Sequence, residues 1–284
     1  MAICLLIFLL CLCFPEISGS GIKSGLNLIA NQVLPALYPF ILLATFFKYL
    51  ADRKSKYQFL PIFIGFLSGY PLGAKVAADY DLSGKSRFTQ ALLLICNNPS
   101  PAYMISFIGL HCLKAPALGM RMYIAVIAGN LLTGLLCMAC DNRRFSRGKM
   151  HLCSTASRET ASKGLLDQVI HDTFTVILNV SSYILIFSVA AAFIQKLNFL
   201  PPIYQGLLAG ILEMTTGIQM LNTQPLPLNT KLLLTTGLVS FGGLSVLAQT
   251  NSMIAGSSLS IKKYITEKAI ASTIAVSVMY MLLS

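Results

Sequence analysis

Charge is scarce in this chain of 284 residues: Asp, Glu, Lys and Arg together make up 11%, and ten residues are acidic. A soluble domain carries roughly 25% charged residues. That scarcity, with 55% hydrophobic residues and a mean hydropathy of +0.72, excludes an ordinary soluble fold and points to a chain that crosses a membrane several times. Catalytic signatures are missing too. There is no H-E-x-x-H and no G-x-S-x-G. Gly84-Lys85-Ser86 resembles the end of a phosphate-binding loop, but Asp79 stands where the opening glycine belongs. The chain reads as a non-enzyme without cofactor or metal. Cys137 and Cys140 form one C-x-x-C, but a second pair and suitably spaced histidines are lacking, so a zinc or redox role is weakly supported. Cys4, Cys11, Cys13, Cys96 and Cys137 lie in or at the ends of apolar runs and read as small hydrophobes.

What the chain does have is basic residues, 21 Lys and Arg for a net charge of +11. They cluster in short loops between apolar runs, which is how membrane topology is set, and this placement argues against nucleic acid as a partner. The lipid bilayer is the expected one. The apolar runs are 1–14, 33–50, 59–78, 88–110, 118–139, 174–194, 203–221, 232–255 and 264–283. The first lacks the basic start of a signal peptide and is read as a short first span, followed by Pro15 and a polar stretch with Gly19, Ser20 and Gly21.

The run 88–110 contains Cys96-Asn97-Asn98-Pro99-Ser100-Pro101. Two prolines remove backbone donors and clash with the preceding turn, so a helix here must break. A break inside a bilayer is tolerated only where it is buried in protein or lines a cavity, which makes this stretch a candidate binding site. The run 232–255 is broken likewise at Ser240-Phe241-Gly242-Gly243, and 59–78 is interrupted by Ser68-Gly69-Tyr70-Pro71. One ungapped register places Gly73 on Gly217, Asn98 on Gly242 and Arg87 on Lys231. What coincides is hydropathy and the position of helix breakers, the weak internal symmetry expected of transporter repeats.

Loop charges orient the halves. If 59–78 crossed fully, the basic loops 51–58 and 80–87 would lie on opposite faces; a re-entrant segment returns both to the cytoplasm. With 203–221 also re-entrant, each repeat crosses three times and the second is inverted. Most basic residues then face the cytoplasm, among them Lys262, Lys263 and Lys268 near the start of the last span. The expected architecture is an all-α multi-pass membrane protein with two inverted-topology repeats, each with a re-entrant helical segment and a broken transmembrane helix. The expected division is 1–30, an N-terminal membrane segment and loop; 31–140, the first repeat; 141–170, a basic cytoplasmic linker; and 171–284, the second repeat. The alternative is that both interrupted segments are ordinary kinked spans.

Lys75 and Glu213 are the charges expected at depth, where ionisable groups face a cavity or a partner. Glu213 suits a coupling cation, a proton or a substrate donor; equally, it could pair with Lys75 and hold the repeats together. Asn97, Asn98 and Ser100 offer polar groups at the first break, and Gly242, Gly243 and Ser245 leave bare backbone at the second. Half-helix ends there can hold an anion or a cation without a charged side chain. Gly65, Gly69 and Gly73, with Gly206 and Gly210, have the spacing of close helix packing. Gln249, Thr250 and Asn251 either line a pathway or bond between helices.

Taken together, Gly65-Phe66-Leu67-Ser68-Gly69-Tyr70-Pro71-Leu72-Gly73-Ala74-Lys75, Asn97-Asn98-Pro99-Ser100-Pro101, Leu212-Glu213-Met214-Thr215-Thr216-Gly217 and Ser240-Phe241-Gly242-Gly243-Leu244-Ser245-Val246 with Gln249 resemble the sporulation integral membrane protein YlbJ family. That family is grouped with nucleoside-recognition Gate-domain proteins. The resemblance implies a multi-pass protein of the cell membrane, or of a forespore membrane, in spore-forming bacteria. It also implies a plan similar to concentrative nucleoside carriers and an association with moving dipicolinate. The function so implied is a secondary carrier of a small anionic metabolite, working by alternating access and coupled to Na+ or H+ or to neither. The substrate-binding candidates are Asn97, Asn98, Ser100, Lys75, Glu213, Thr215, Gly242, Gly243, Ser245 and Gln249, with Lys75 fitting a dianionic pyridine dicarboxylate. An ion-coupled nucleoside carrier and a non-transporting scaffold of the spore envelope are the alternatives.

Overall fold

A computed structural model describes residues 11–53, 60–80, 87–140 and 164–283. Most of the expected first span, most of the two basic loops at 51–58 and 80–87, the Gly84-Lys85-Ser86 triplet and the greater part of the basic linker lie outside the described residues.

Among the described residues the chain is helical throughout, with no strand. Three helical stretches are long and apolar enough to cross a membrane: Pro116–Ala139, Leu165–Gln195 and Leu228–Met253, with mean hydropathies of 1.9, 2.1 and 1.6. The protein is an all-α, multi-pass membrane protein. Large apolar side chains such as Leu132, Leu135, Leu136, Leu178 and Ile186 are exposed on these helices, where a bilayer would cover them.

The first described helix corrects an expectation. The stretch read as a polar loop after Pro15 is α1 (Pro15–Leu28), with Pro15 at its first turn, where a missing N–H costs nothing. Its buried face carries Ser18, Gly21 and Gly25, and it lies against α7 (Leu165–Gln195). A Cβ on Gly21 would stand 2.7 Å from Val189 Cα, and one on Gly25 3.0 Å from Leu185 Cδ2. Small residues here bring two helices together in an apolar medium. A π-helical turn, Ile29–Val33, leads into α2 (Leu34–Arg53). The helix α7 itself starts at Leu165, so the tail of the expected linker, 165–170, is helix.

Next come α3 (Leu60–Ser68) and α4 (Leu72–Asp79), then α5 (Arg87–Cys96), a π-helical segment Tyr103–Cys112 and α6 (Pro116–Cys140). After α7 the same order recurs: α8 (Pro202–Leu212) and α9 (Met214–Thr223), then α10 (Leu228–Phe241), α11 (Gly243–Met253) and α12 (Ile261–Met281). Each half therefore contains a pair of short helices, a broken helix and a long closing helix. Both short pairs are antiparallel hairpins, because residues equidistant from each turn face one another. Gly65 meets Val76 in the first; Gly206 meets Leu221 and Gly210 meets Gly217 in the second. Of the glycines read as close packing, Gly65, Gly206 and Gly210 serve the hairpins, while Gly69 and Gly73 pack against the backbone of residues 96–100.

The core is shared between the halves. One cluster joins Met104, Ile108, Met122 and Val126 of the first half to Ile218, Leu221, Leu232 and Val239 of the second. Another joins Ala74, Leu93 and Leu94 to Leu247, Tyr264 and Ala271. A third packs Leu28, Ile41 and Ile64 against Val176 and Val180.

Overpacking the second hairpin tests its geometry. Gly217→Val would force a side chain onto the Gly210 backbone and lower stability by about 1–3 kcal/mol, read as a lower unfolding midpoint in detergent. Gly19→Ala, where a Cβ meets nothing within 4 Å, leaves the midpoint in place.

Candidate functional site

The first break begins where α5 ends at Cys96 and continues through Ser100. The carbonyl of Asn98, freed by the break, accepts from the backbone N–H of Tyr70 at 2.8 Å. Tyr70 is at the tip of the first hairpin. Its neighbour Gly69 sits at φ +75° against the Asn98 carbonyl and the Ser100 nitrogen, leaving no room for a Cβ. Ser100 Oγ accepts from the Tyr103 N–H at 3.1 Å, which starts the following helical segment.

The second break turns on Gly242, at φ +88°, which ends α10 in a left-handed conformation and opens α11. Tyr70 reaches this break as well, its hydroxyl donating to the Val239 carbonyl at 3.1 Å. Gly243 packs against the carbonyls of Gly210 and Ile211 in the second hairpin. The turn of that hairpin is Glu213, whose extended backbone separates α8 from α9. Its buried carboxylate caps α9, accepting from Thr215 N at 3.2 Å, Thr216 N at 2.7 Å and Thr216 Oγ1 at 2.9 Å.

A cavity of about 80 Å³ lies where these four features meet. The first hairpin contributes Ser68 and Tyr70, and the first break Pro99, Ser100 and Tyr103. The second hairpin contributes Glu213, Met214 and Thr215, and α11 contributes Ser245, Val246 and Gln249. Val33, Val180 and Ile184 close it with apolar surface. Across the cavity Tyr103 Oη and Thr215 Oγ1 are hydrogen-bonded at 3.2 Å, and Gln249 Nε2 donates to Ser245 Oγ at 3.1 Å.

Five of the ten residues expected at a binding site thus share one cavity: Ser100, Glu213, Thr215, Ser245 and Gln249. The other five do not line it. Lys75 is half-buried on α4. Asn97 is turned into the protein, where its Nδ2 donates to Thr250 Oγ1 and Tyr264 Oη, both at 2.8 Å. Asn98 Oδ1 accepts from Lys268 Nζ at 2.8 Å. Gly242 and Gly243 shape the second break. Thr250 therefore bonds between helices, Gln249 lines the cavity and Asn251 is exposed.

Several residues that the sequence did not single out hold this arrangement. Lys268, expected at the cytoplasmic end of the last span, is instead completely buried. It lies on one face of α12 with Tyr264, Ala271 and Ala275, all buried, and that face packs on α6 so closely that a Cβ on Gly129 would meet the Ala271 carbonyl at 2.5 Å. Asn130, an amide in the middle of a span, also bonds Lys268, and its mid-span position is the signal that could have found it. Gln90 on α5 ties to Glu267 at 3.2 Å and to Ser260 N at 3.1 Å, a second link from the first broken helix to α12.

The chain is a distant homologue of the "Sporulation integral membrane protein YlbJ" of Bacillus subtilis (strain 168), 22% identical over 301 aligned positions that cover 88% of this chain and 74% of the relative. No protein-family model matches the chain, and no solved structure matches it. The relative supports the resemblance read from the four motifs.

Removing the cap at Glu213 isolates its structural part. Glu213→Ala leaves the Thr215 and Thr216 amides without their acceptor and costs about 0.5–2 kcal/mol, read as faster hydrogen exchange at those two amides. Unchanged exchange there would contradict the capping role.

Proposed function

We propose that the chain is a secondary carrier that moves a small anionic metabolite, of the dipicolinate type, by alternating access through the cavity between its hairpin tips and helix breaks. The observation that carries this reading is the cavity wall itself. Both hairpin tips and both broken helices contribute to it, and they bring hydroxyls, an amide and a carboxylate into an otherwise apolar bundle. Irregular backbone around polar side chains inside a membrane bundle is the usual form of a transporter site. The breaks also favour inverted repeats, since each half supplies one hairpin tip and one break.

The positive charge for an anion comes from Lys268 rather than Lys75. Its Nζ lies 5.3 Å from the centroid of the Tyr70 ring, and Tyr70 is on the cavity wall. A charge just behind the wall, in a medium of low dielectric, acts on the cavity more strongly than it would through water. The Ser100, Thr215 and Ser245 hydroxyls and the Gln249 amide supply donors. At about 80 Å³ the cavity is below the roughly 300–1,000 Å³ usual for pockets that enclose a drug-sized molecule. Loading a pyridine dicarboxylate therefore requires the walls to part, which alternating access provides. A second reading, a nucleoside-type carrier, draws on Glu213, the one charged side chain on the wall, which suits the hydroxyls of a sugar.

Proteoliposomes containing the purified chain are expected to take up labelled dipicolinate against an internal pool of the same compound. Gln249→Ala lowers the rate at sub-saturating substrate about tenfold. Competition by nucleosides instead of dipicolinate selects the second reading. No flux of either solute, with Gln249→Ala indistinguishable from the parent, returns the chain to a scaffold role. Repeating the assay with Na+ replaced, and with the proton gradient collapsed, identifies the coupling ion.

A further inference from the structure

Lys268 is completely buried on α12, and among the described residues no carboxylate pairs with its ammonium. The neighbouring Glu267 is engaged elsewhere, with Gln90 and Lys263. An ammonium presents three N–H groups, and here two hydrogen bonds go to uncharged amide oxygens while two aromatic rings lie within cation-π range. Asn98 Oδ1 accepts at 2.8 Å and Asn130 Oδ1 at 3.0 Å, while the Tyr70 ring offers its face at 5.3 Å, with the Tyr264 ring centroid at 5.8 Å.

The two amide oxygens are aimed by bonds that do not involve the lysine. Asn98 Nδ2 donates to the carbonyl of Ile95 in the last turn of α5, and Asn130 Nδ2 donates to that of Val126 at 2.8 Å, one turn back along α6. Each bond fixes its amide, and both oxygens face the same Nζ. Two fixed carbonyl-type oxygens and two aromatic faces around one point make a coordination shell for a small monovalent cation, since oxygen dipoles replace water and ring faces add attraction. A purely structural contact at this position would be made at lower cost by an apolar side chain, because burying a charge against uncharged partners is expensive.

We propose that Asn98, Asn130, Tyr70 and Tyr264 form a monovalent-cation site that Lys268 fills from within the chain. The ammonium is a tethered ion. It holds the first helix break to α6 and α12 without needing a diffusible cation. The site is a property of the fold, and stands whether or not the chain transports anything.

The test is to empty the site and offer it free cations. The full chain in detergent is unfolded thermally in chloride salts of Na+, K+, methylammonium and choline at equal ionic strength. The parent protein is expected to show one midpoint in all four. Lys268→Ala is expected to unfold lower in choline, which is too large to enter, and to recover about 2–5 °C in a saturable way with Na+, K+ or methylammonium. Indifference of Lys268→Ala to the cation overturns the proposal. Should Lys268→Ala not yield folded protein in choline, it is extracted and purified in Na+, K+ and methylammonium as well. Folded protein recovered in any of these and not in choline supports the site, whereas none recovered in all four overturns it.

Discussion

A helix that stops halfway across a bilayer leaves backbone donors and acceptors that lipid cannot satisfy, and every such group must find its partner inside the protein. The arrangement of this chain follows from that requirement. The Asn98 carbonyl at the first break finds the Tyr70 N–H, and the Val239 carbonyl near the second finds the Tyr70 hydroxyl. The Thr215 and Thr216 amides in the first turn of α9 find the Glu213 carboxylate. One tyrosine at a hairpin tip therefore answers both breaks, which obliges the tip to lie between them. A cavity at that junction is the space left when four irregular segments converge and their side chains do not fill the centre.

Many of the ties between the halves are made by uncharged groups, beside those of Lys268 to Asn98 and Asn130 and of Gln90 to Glu267. Asn97 bonds to Thr250 and Tyr264, Gln90 to the start of α12, and Tyr103 to Thr215. Neutral hydrogen bonds contribute about 0.5–1.5 kcal/mol each, less than the cost of leaving their groups buried and unpaired. Such a junction is specific in geometry without being strongly held. Each bond can be exchanged for another at modest cost. The apolar clusters crossing the two halves supply the cohesion instead.

What was legible in the sequence is what local backbone chemistry dictates. Pro99 and Pro101, the Gly242-Gly243 pair and Ser68 through Pro71 disfavour an uninterrupted helix by their own backbone chemistry, so both broken helices and the first hairpin tip could be read directly. The second hairpin could be bounded but its turn could not, because Glu213 interrupts the helix with no proline or glycine, through a capping bond formed in the fold. Gly21 and Gly25 were ambiguous in kind. Small residues suit a loop and a close-packed face alike, and the deciding partner, α7, lies far along the chain. Lys268 was misjudged because a lysine near a span end can snorkel to the interface. Which way it points is set by the rotation of α12, and that is fixed by Tyr264, Ala271 and Ala275 packing inward on the same face. That stripe was in the sequence; the amide on α6 that receives the lysine is remote from it.

The two buried charges near the cavity are compensated differently. Glu213 faces two backbone amides and a hydroxyl at a helix N-terminus, where the aligned peptide dipoles amount to roughly half a positive charge. Much of its field is thus answered locally and turned into α9. Lys268 meets two side-chain amide oxygens and two ring faces, and through Asn98 it lies just past the C-terminal end of α5, where the peptide dipoles amount to roughly half a negative charge. Side-chain dipoles solvate a charge without cancelling it at a distance. Each charge is therefore held by groups of the fold, the carboxylate by backbone and hydroxyl donors and the ammonium by amide oxygens and ring faces, so neither needs the other as its partner.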